Sequence, residues 1–182
     1  MKDQKQFAVI GGGSWATAIV KMLSENLGQI GWYMRNDAAI EHLLTAYHNP
    51  NYLSSVEFDI SRLKISSDIN EIVEFADYVI FAIPSAFLHK ELEKLTVSLK
   101  DKVVFSAIKG IVPESSLIVG EHFNENYEIP FENIGVITGP CHAEEVALER
   151  LSYLTIACAD EEKARVLASV VSGDYIKCKI SD

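Results

Sequence analysis

The sequence predicts an α/β domain: a doubly wound, mostly parallel sheet with helices on both faces. Three observations lead there. Short β-rich apolar runs alternate with segments of helical period. Glycine and proline fall between them, at Gly28, Pro50, Gly110, Pro113 and Pro130. A glycine-rich turn joins the first run to the first helical segment. Alternation of this kind is the pattern of βαβ units. The 182 residues hold one domain with a sizeable core and leave little room for a second.

Taken in order, Gln6–Ile10 reads as the first strand and Ser14–Leu27 as the helix it feeds. Gln29–Met34 is the second strand and Asp37–Tyr47 the second helix. Leu63–Ile65, Asp77–Ile83, Lys102–Ser106 and Asn133–Thr138 continue the strands. Asp68–Phe75, Ser85–Leu99, Glu114–Phe123 and His142–Leu148 continue the helices. The last third adds a strand at Tyr153–Cys158, a helix at Asp160–Val171 and a strand at Tyr175–Lys179. No Pro/Gly/Ser linker precedes them, so they are expected to finish the same sheet. Asp182 follows that strand pattern directly, which fits an edge strand or a fragment.

Composition narrows the function classes. Hydrophobic residues are 48% and charged residues 23%, ordinary globular usage. Sixteen Lys+Arg against twenty-six Asp+Glu give a net charge of −10. No basic stripe is visible, which argues against nucleic acid as a partner. The richest apolar stretch, Tyr78 to Leu88, is too short to span a bilayer and contains Pro84 and Ser85. At the N-terminus, Lys2 and Lys5 precede only Phe7–Ile10 before three glycines, which is no signal peptide. Cys141, Cys158 and Cys178 are odd in number, widely spaced and without CxxC, so neither a disulfide framework nor a zinc site is indicated. The five histidines are scattered without ligand spacing, and no metal is expected. A cytoplasmic location follows from these features together.

The chemistry begins at Gly11-Gly-Gly-Ser-Trp-Ala16, a G-x-G-x-x-A turn between strand and helix. Gly11 permits the tight turn, Gly13 lets a pyrophosphate approach the backbone, and Ala16 keeps the helix close to the sheet. Free N–H groups near Ser14 and Trp15 face the phosphates at the favourable end of the helix dipole. This is the phosphate turn of a Rossmann-like domain. Trp15 is otherwise explained as a core aromatic. The second strand ends in Met34-Arg-Asn36 where NAD-selective sites place Asp or Glu, and an Arg35 guanidinium can pair with a 2′-phosphate. The cofactor is therefore NADP or NAD, with NADP favoured or tolerated. Asp37 belongs to the cap or first turn of the next helix.

Further along, Ala82-Ile-Pro-Ser85 lies at the carboxyl edge of the sheet. Pro84 stops the strand, Ser85 is suited to cap the next helix, and Phe87 packs near the cofactor or in the core. Ile108-Lys109-Gly110 reaches the same edge, where a lysine after a buried strand calls for an anionic partner. Gly139-Pro140 makes a turn before Cys141-His-Ala143-Glu-Glu145, whose helix start has free N–H groups for a phosphate or carboxylate. Glu144 and Glu145 suit a first helical turn, and a helix start explains Cys141 and His142 better than a nucleophilic pair does.

Together these segments resemble the N-terminal cofactor domain of NAD(P)-dependent glycerol-3-phosphate dehydrogenase of the soluble bacterial type. Ile10-Gly-Gly-Gly-Ser-Trp15, Trp32-Tyr-Met-Arg35, Ala82-Ile-Pro-Ser85, Ile108-Lys-Gly-Ile111 and Gly139-Pro-Cys-His-Ala-Glu-Glu-Val146 carry the likeness, in order, over essentially the whole chain. The resemblance implies that Ser14, Trp15 and Arg35 contact NADPH and that Lys109 touches both cofactor and substrate as the catalytic residue. Gly139 and Cys141 would border glycerol phosphate, and Ala143 would approach the cofactor. Ala16 replaces the commoner third glycine, and Cys141 stands where the family usually has Ser or Thr.

The family also has a second, helical domain with another lysine as general acid/base, and nothing like it occurs before Asp182. Residues 1–182 are thus expected to be one NAD(P)-binding domain, inactive alone. The implied activity interconverts sn-glycerol 3-phosphate and dihydroxyacetone phosphate, supplying glycerol phosphate for phospholipid synthesis, and a homodimer of the longer protein is among the expectations. Rival readings are another hydroxy-acid or hydroxyacyl dehydrogenase and a non-catalytic NADP-sensing module.

Overall fold

A computed structural model of the chain describes residues 5–181. Lys2 and Asp182, which entered the reading of the two ends, lie outside the described residues. The elements are β1 (Phe7–Ile10), α1 (Ser14–Asn26), β2 (Ile30–Tyr33), α2 (Asp37–Ala46), β3 (Leu63–Ser66), α3 (Ile69–Phe75), β4 (Tyr78–Phe81) and α4 (Ser85–Leu92). There follow β5 (Val103–Ser106), β6 (Ile111–Val112), β7 (Leu117–Ile118), α5 (Val119–Tyr127), β8 (Ile134–Thr138), α6 (Ala143–Ala147), β9 (Ser152–Cys158), α7 (Glu161–Val171) and β10 (Ile176–Ser181).

Eight strands form one sheet in the order β10-β9-β8-β5-β4-β1-β2-β3. Neighbours run parallel from β3 through to β8. β9 joins β8 antiparallel, and β10 then joins β9 parallel at the edge. The late strands therefore complete the same sheet, as expected. The chain winds from β1 outward to β2 and β3, then returns to β4 and β5 on the other side. That reversal opens a crevice at the carboxyl ends of β1 and β4, where ligands bind in such sheets.

Strand alternation divides the core. Phe7 and Val9 point into one cluster with residues of α1, α6 and α7. Ala8 and Ile10 point into a second with residues of α3, α4 and α5. A strand buried on both faces has to be apolar at every position, and β1, β2 and β4 are buried along their whole length. Ala16 is fully buried, so α1 lies close against the sheet. Among the described residues no helix is long and apolar enough to cross a membrane.

Three local expectations need correction. α4 ends at Leu92 rather than Leu99, because Asn70 takes over the backbone that a longer helix would use. Its Nδ2 donates to the Lys94 carbonyl at 3.0 Å, and its Oδ1 accepts from Thr96 N at 2.6 Å and Val97 N at 3.1 Å. The helix expected at Glu114–Phe123 begins only at Val119. Before it, β6 and β7 form an antiparallel hairpin around Pro113 to Ser116, with Ser116 in the left-handed region at φ 57° and its N–H donating to Val112 O at 2.8 Å. Ser85 does not cap α4; Pro84 precedes the helix, which has no side-chain cap. Asp68 and Asp160 cap α3 and α7, each carboxylate accepting from the N–H two residues on.

Candidate functional site

The crevice is built around the glycine turn between β1 and α1. Gly11 has φ +140°, and a Cβ there would stand 2.5 Å from the Ala82 carbonyl oxygen, so only glycine fits. Gly11 N–H donates to Tyr33 O at 3.1 Å, tying the turn to β2. The buried indole of Trp32 donates to Gly11 O at 2.7 Å. Asn49, fully buried, donates to Gly12 O at 3.1 Å and to Thr17 Oγ1 at 2.9 Å. Two carbonyls of the turn are thereby held by buried donors. α1 makes its first backbone bond from Thr17 N to Gly13 O at 2.9 Å, which leaves the N–H groups of Ser14, Trp15 and Ala16 without a helical acceptor. A Cβ added at Gly13 would meet nothing within 4 Å. The turn thus offers free donors and open space together, the surroundings a pyrophosphate needs.

Two hollows meet at this turn, sharing Gly13, Ala82, Ile83 and Pro84. The first, about 300 Å³, runs beside Gly11, Arg35, Tyr52 and Phe87 and has Tyr33 and Glu91 in its wall. The second, about 490 Å³, is bounded by Ser14, Trp15, Lys109, Gly139, Cys141 and Ala143. A two-lobed ligand with a diphosphate between its halves matches this shape.

Comparison with known proteins agrees with the geometry. Residues 6–164 match the family described as NAD-dependent glycerol-3-phosphate dehydrogenase N-terminus. The chain belongs to that family. It is 28% identical over 179 residues to a glycerol-3-phosphate dehydrogenase [NAD(P)+] of Macrococcus caseolyticus, covering 97% of this chain and 54% of the relative. With the enzyme of the same name from Pseudomonas aeruginosa strain LESB58 the identity is 33% over 171 residues, covering 93% and 49%. The chain therefore spans about half the length of the curated relatives it matches. The crystal structure of glycerol-3-phosphate dehydrogenase from Coxiella burnetii superposes with a TM-score of 0.84 at 21% identity, over 98% of this chain and 54% of that one, which establishes the shared fold.

Within this dehydrogenase-family domain, the ten candidate cofactor- and substrate-binding residues of the sequence all lie in one of the two hollows. Gly11, Arg35 and Phe87 are in the first; Ser14, Trp15, Lys109, Gly139, Cys141 and Ala143 are in the second; Gly13 belongs to both. Arg35 is exposed, with its Cζ 5.6 Å from the centre of the Phe87 ring. Phe87 is 47% exposed and belongs to the groove rather than the core. Trp15 does both jobs considered for it, packing partly on the core and walling the second hollow. Lys109 is exposed and makes no ion pair among the described residues. Gly139, at φ +153°, is forced: a Cβ would stand 2.4 Å from Tyr153 O. Burial pushes the Cys141 thiol up, away from the reactive thiolate. α6 is only five residues long, and the His142 N–H before it is taken by Glu145 Oε2 at 3.1 Å. The Glu145 N–H donates back to His142 O at 3.0 Å, while the N–H groups of Ala143 and Glu144 have no hydrogen-bond partner among the described residues.

Sequence reasoning missed Asn49, Tyr52 and Glu91. Asn49 gives only a local signal, an Asx turn in which its Oδ1 accepts from Asn51 N at 3.0 Å, and nothing in the sequence shows that it reaches the glycine turn. Glu91 could have been found: it lies between Leu88 and Leu92 on the buried face of α4, where a carboxylate is out of place. Its Oε2 accepts from Tyr33 Oη at 2.5 Å and from Lys94 Nζ at 2.8 Å. Burial works to raise the Glu91 carboxyl, but hydrogen bonds from Lys94 and Tyr33 outweigh it and hold the group below the usual carboxylate range. Burial and the bond to Glu91 push the Tyr33 hydroxyl up to about 12.

The two outer glycines of the turn should behave in opposite ways. Gly11→Ala strains φ and meets the Ala82 carbonyl, so it should lower stability by about 2–3 kcal/mol. Gly13→Ala has room, so stability should stay within about 1 kcal/mol. The methyl would nevertheless stand where the diphosphate approaches, weakening NADPH roughly tenfold or more. Urea unfolding and calorimetric titration of both variants check this pair of outcomes.

Proposed function

We propose that residues 1–182 are the cofactor domain of an enzyme that interconverts sn-glycerol 3-phosphate and dihydroxyacetone phosphate with NADP(H) or NAD(H), completed in the longer protein by a helical substrate domain. The observation that carries the reading is that Lys109, Gly139 and Cys141 share one hollow with Ser14 and Trp15 at the start of α1. That hollow is continuous with the groove beside Arg35 through Gly13. Cofactor and phosphorylated substrate would then meet at the second hollow. The alternative hydroxy-acid dehydrogenases and NADP sensors give no reason for a lysine at this edge.

The chain's residues fit such a cofactor. Ser14, Trp15 and Ala16 N–H groups would hold the diphosphate, with Gly13 leaving it room. Arg35, free at the end of β2, would pair through its planar fork with a 2′-phosphate. Bound there, the nicotinamide would supply or accept the hydride. Lys109 would attract the anionic substrate and stabilise negative charge growing on the substrate oxygen during reduction. Proton transfer would be left to the second domain. Gly139, lacking a side chain, leaves the substrate side open, and Cys141 borders it as a weak neutral donor.

The wider setting belongs to the same proposal. The enzyme would act in the cytoplasm, in keeping with three free cysteines. It would supply glycerol phosphate for phospholipid synthesis, with the longer protein a homodimer and nucleic acid no partner.

Removing the Arg35 fork should cost NADPH about 1.5–3 kcal/mol and leave NADH nearly unchanged. Titrating wild type and Arg35→Ala with both dinucleotides measures the difference, and equal losses would remove Arg35 from the 2′-phosphate role.

Lys109→Met keeps most of the aliphatic stem, so stability should change by no more than about 1 kcal/mol. Turnover of dihydroxyacetone phosphate by the full-length protein should fall at least roughly a hundredfold. Near-normal kinetics in the folded variant would return Lys109 to the ordinary surface lysines.

A further inference from the structure

Glu91 is a charged group in the cofactor groove that nothing above employs. It is 3% exposed and yet forms part of the groove wall. Tyr33 and Lys94 both donate to its Oε2, and no group among the described residues donates to Oε1. Oε1 is not among the buried polar atoms left without a partner, so it is open to solvent, and in the wall of the groove it can accept from a ligand. A phosphate cannot be that ligand group, since it would meet like charge.

The surroundings narrow the donor further. Phe87 precedes Glu91 by one helical turn, so both lie on the same face of α4. Its ring is half exposed, with the Arg35 guanidinium over it. A flat aromatic base laid on the exposed Phe87 ring, with the guanidinium moved aside, gains stacking there. Its edge then meets the wall that holds Glu91.

We propose that Glu91 reads the base of the dinucleotide, accepting through Oε1 a hydrogen bond from the exocyclic amino group of adenine. This makes it a specificity-determining residue, and the inference rests on the dinucleotide reading of the groove. A base with a carbonyl in place of the amino group, such as hypoxanthine, presents an acceptor to an acceptor there and must shift to offer its N1–H instead, so it binds more weakly. In Glu91→Gln, Tyr33 and Lys94 still demand an acceptor at the Oε2 position, so the amide oxygen turns to them. The amide nitrogen then faces the groove, and the preference for the base reverses.

The test titrates wild type and Glu91→Gln with NADPH and with its deaminated analogue, nicotinamide hypoxanthine dinucleotide phosphate. Wild type should bind NADPH at least about tenfold tighter than the analogue. Glu91→Gln should bind the analogue as tightly as NADPH or tighter. A purely structural role for Glu91 would weaken both ligands together, and thermal unfolding of the variant confirms that it is folded. Equal binding of the two ligands by wild type, or an unchanged ratio in Glu91→Gln, overturns the inference and leaves the dinucleotide reading standing. Failure of wild type to bind either ligand overturns both.

Discussion

The site depends on how the glycine turn is held. Gly11 is clamped between β2 and β4, donating to Tyr33 O and lying against the Ala82 carbonyl where no side chain fits. Trp32 and Asn49, both buried, hold the carbonyls of Gly11 and Gly12. A backbone with its acceptors satisfied from within has donors left for a ligand. Because those donors are fixed before anything binds, little ordering is needed when a diphosphate arrives.

The rest of the fold serves that arrangement. Winding β2 and β3 to one side of β1, and β4 and β5 to the other, brings the ends of both halves to one edge. Arg35 arrives from β2, the Ala82–Ser85 segment from β4, Lys109 from β5 and Gly139 from β8. Cationic side chains at this edge stand out on a chain whose net charge is −10. The exposed guanidinium of Arg35 and the ammonium of Lys109 favour anionic ligands at the two ends of the crevice. Glu91 is kept from opposing them by Tyr33 and Lys94, which absorb much of its charge.

Much of this was legible in the sequence, and the reason is periodicity. Strands buried on both faces must be continuously apolar, so β1, β2 and β4 announce themselves, and the glycine turn is bound to its chemistry by backbone geometry. What stayed hidden depends on contacts distant in sequence. Asn70 stops α4 from 24 to 27 positions away. Asn49 reaches a turn 37 residues earlier. The β6–β7 hairpin was masked because Pro113 to Ser116 reads equally well as a helix start. Glu91 is the instructive omission, since a carboxylate on an otherwise apolar helix face is itself a signal of a buried partner.

The central claim is that the N–H groups at the start of α1 receive the cofactor's diphosphate, and amide chemical shifts report on those groups directly. Titrating the isotope-labelled chain with NADPH should shift the amide signals of Gly13, Ser14, Trp15 and Ala16 most strongly, with the Trp32 indole and the Asn49 side-chain amide nearly still. Saturable NADPH binding that left the four backbone amides unmoved, with the shifts gathered elsewhere on the surface, would contradict the account.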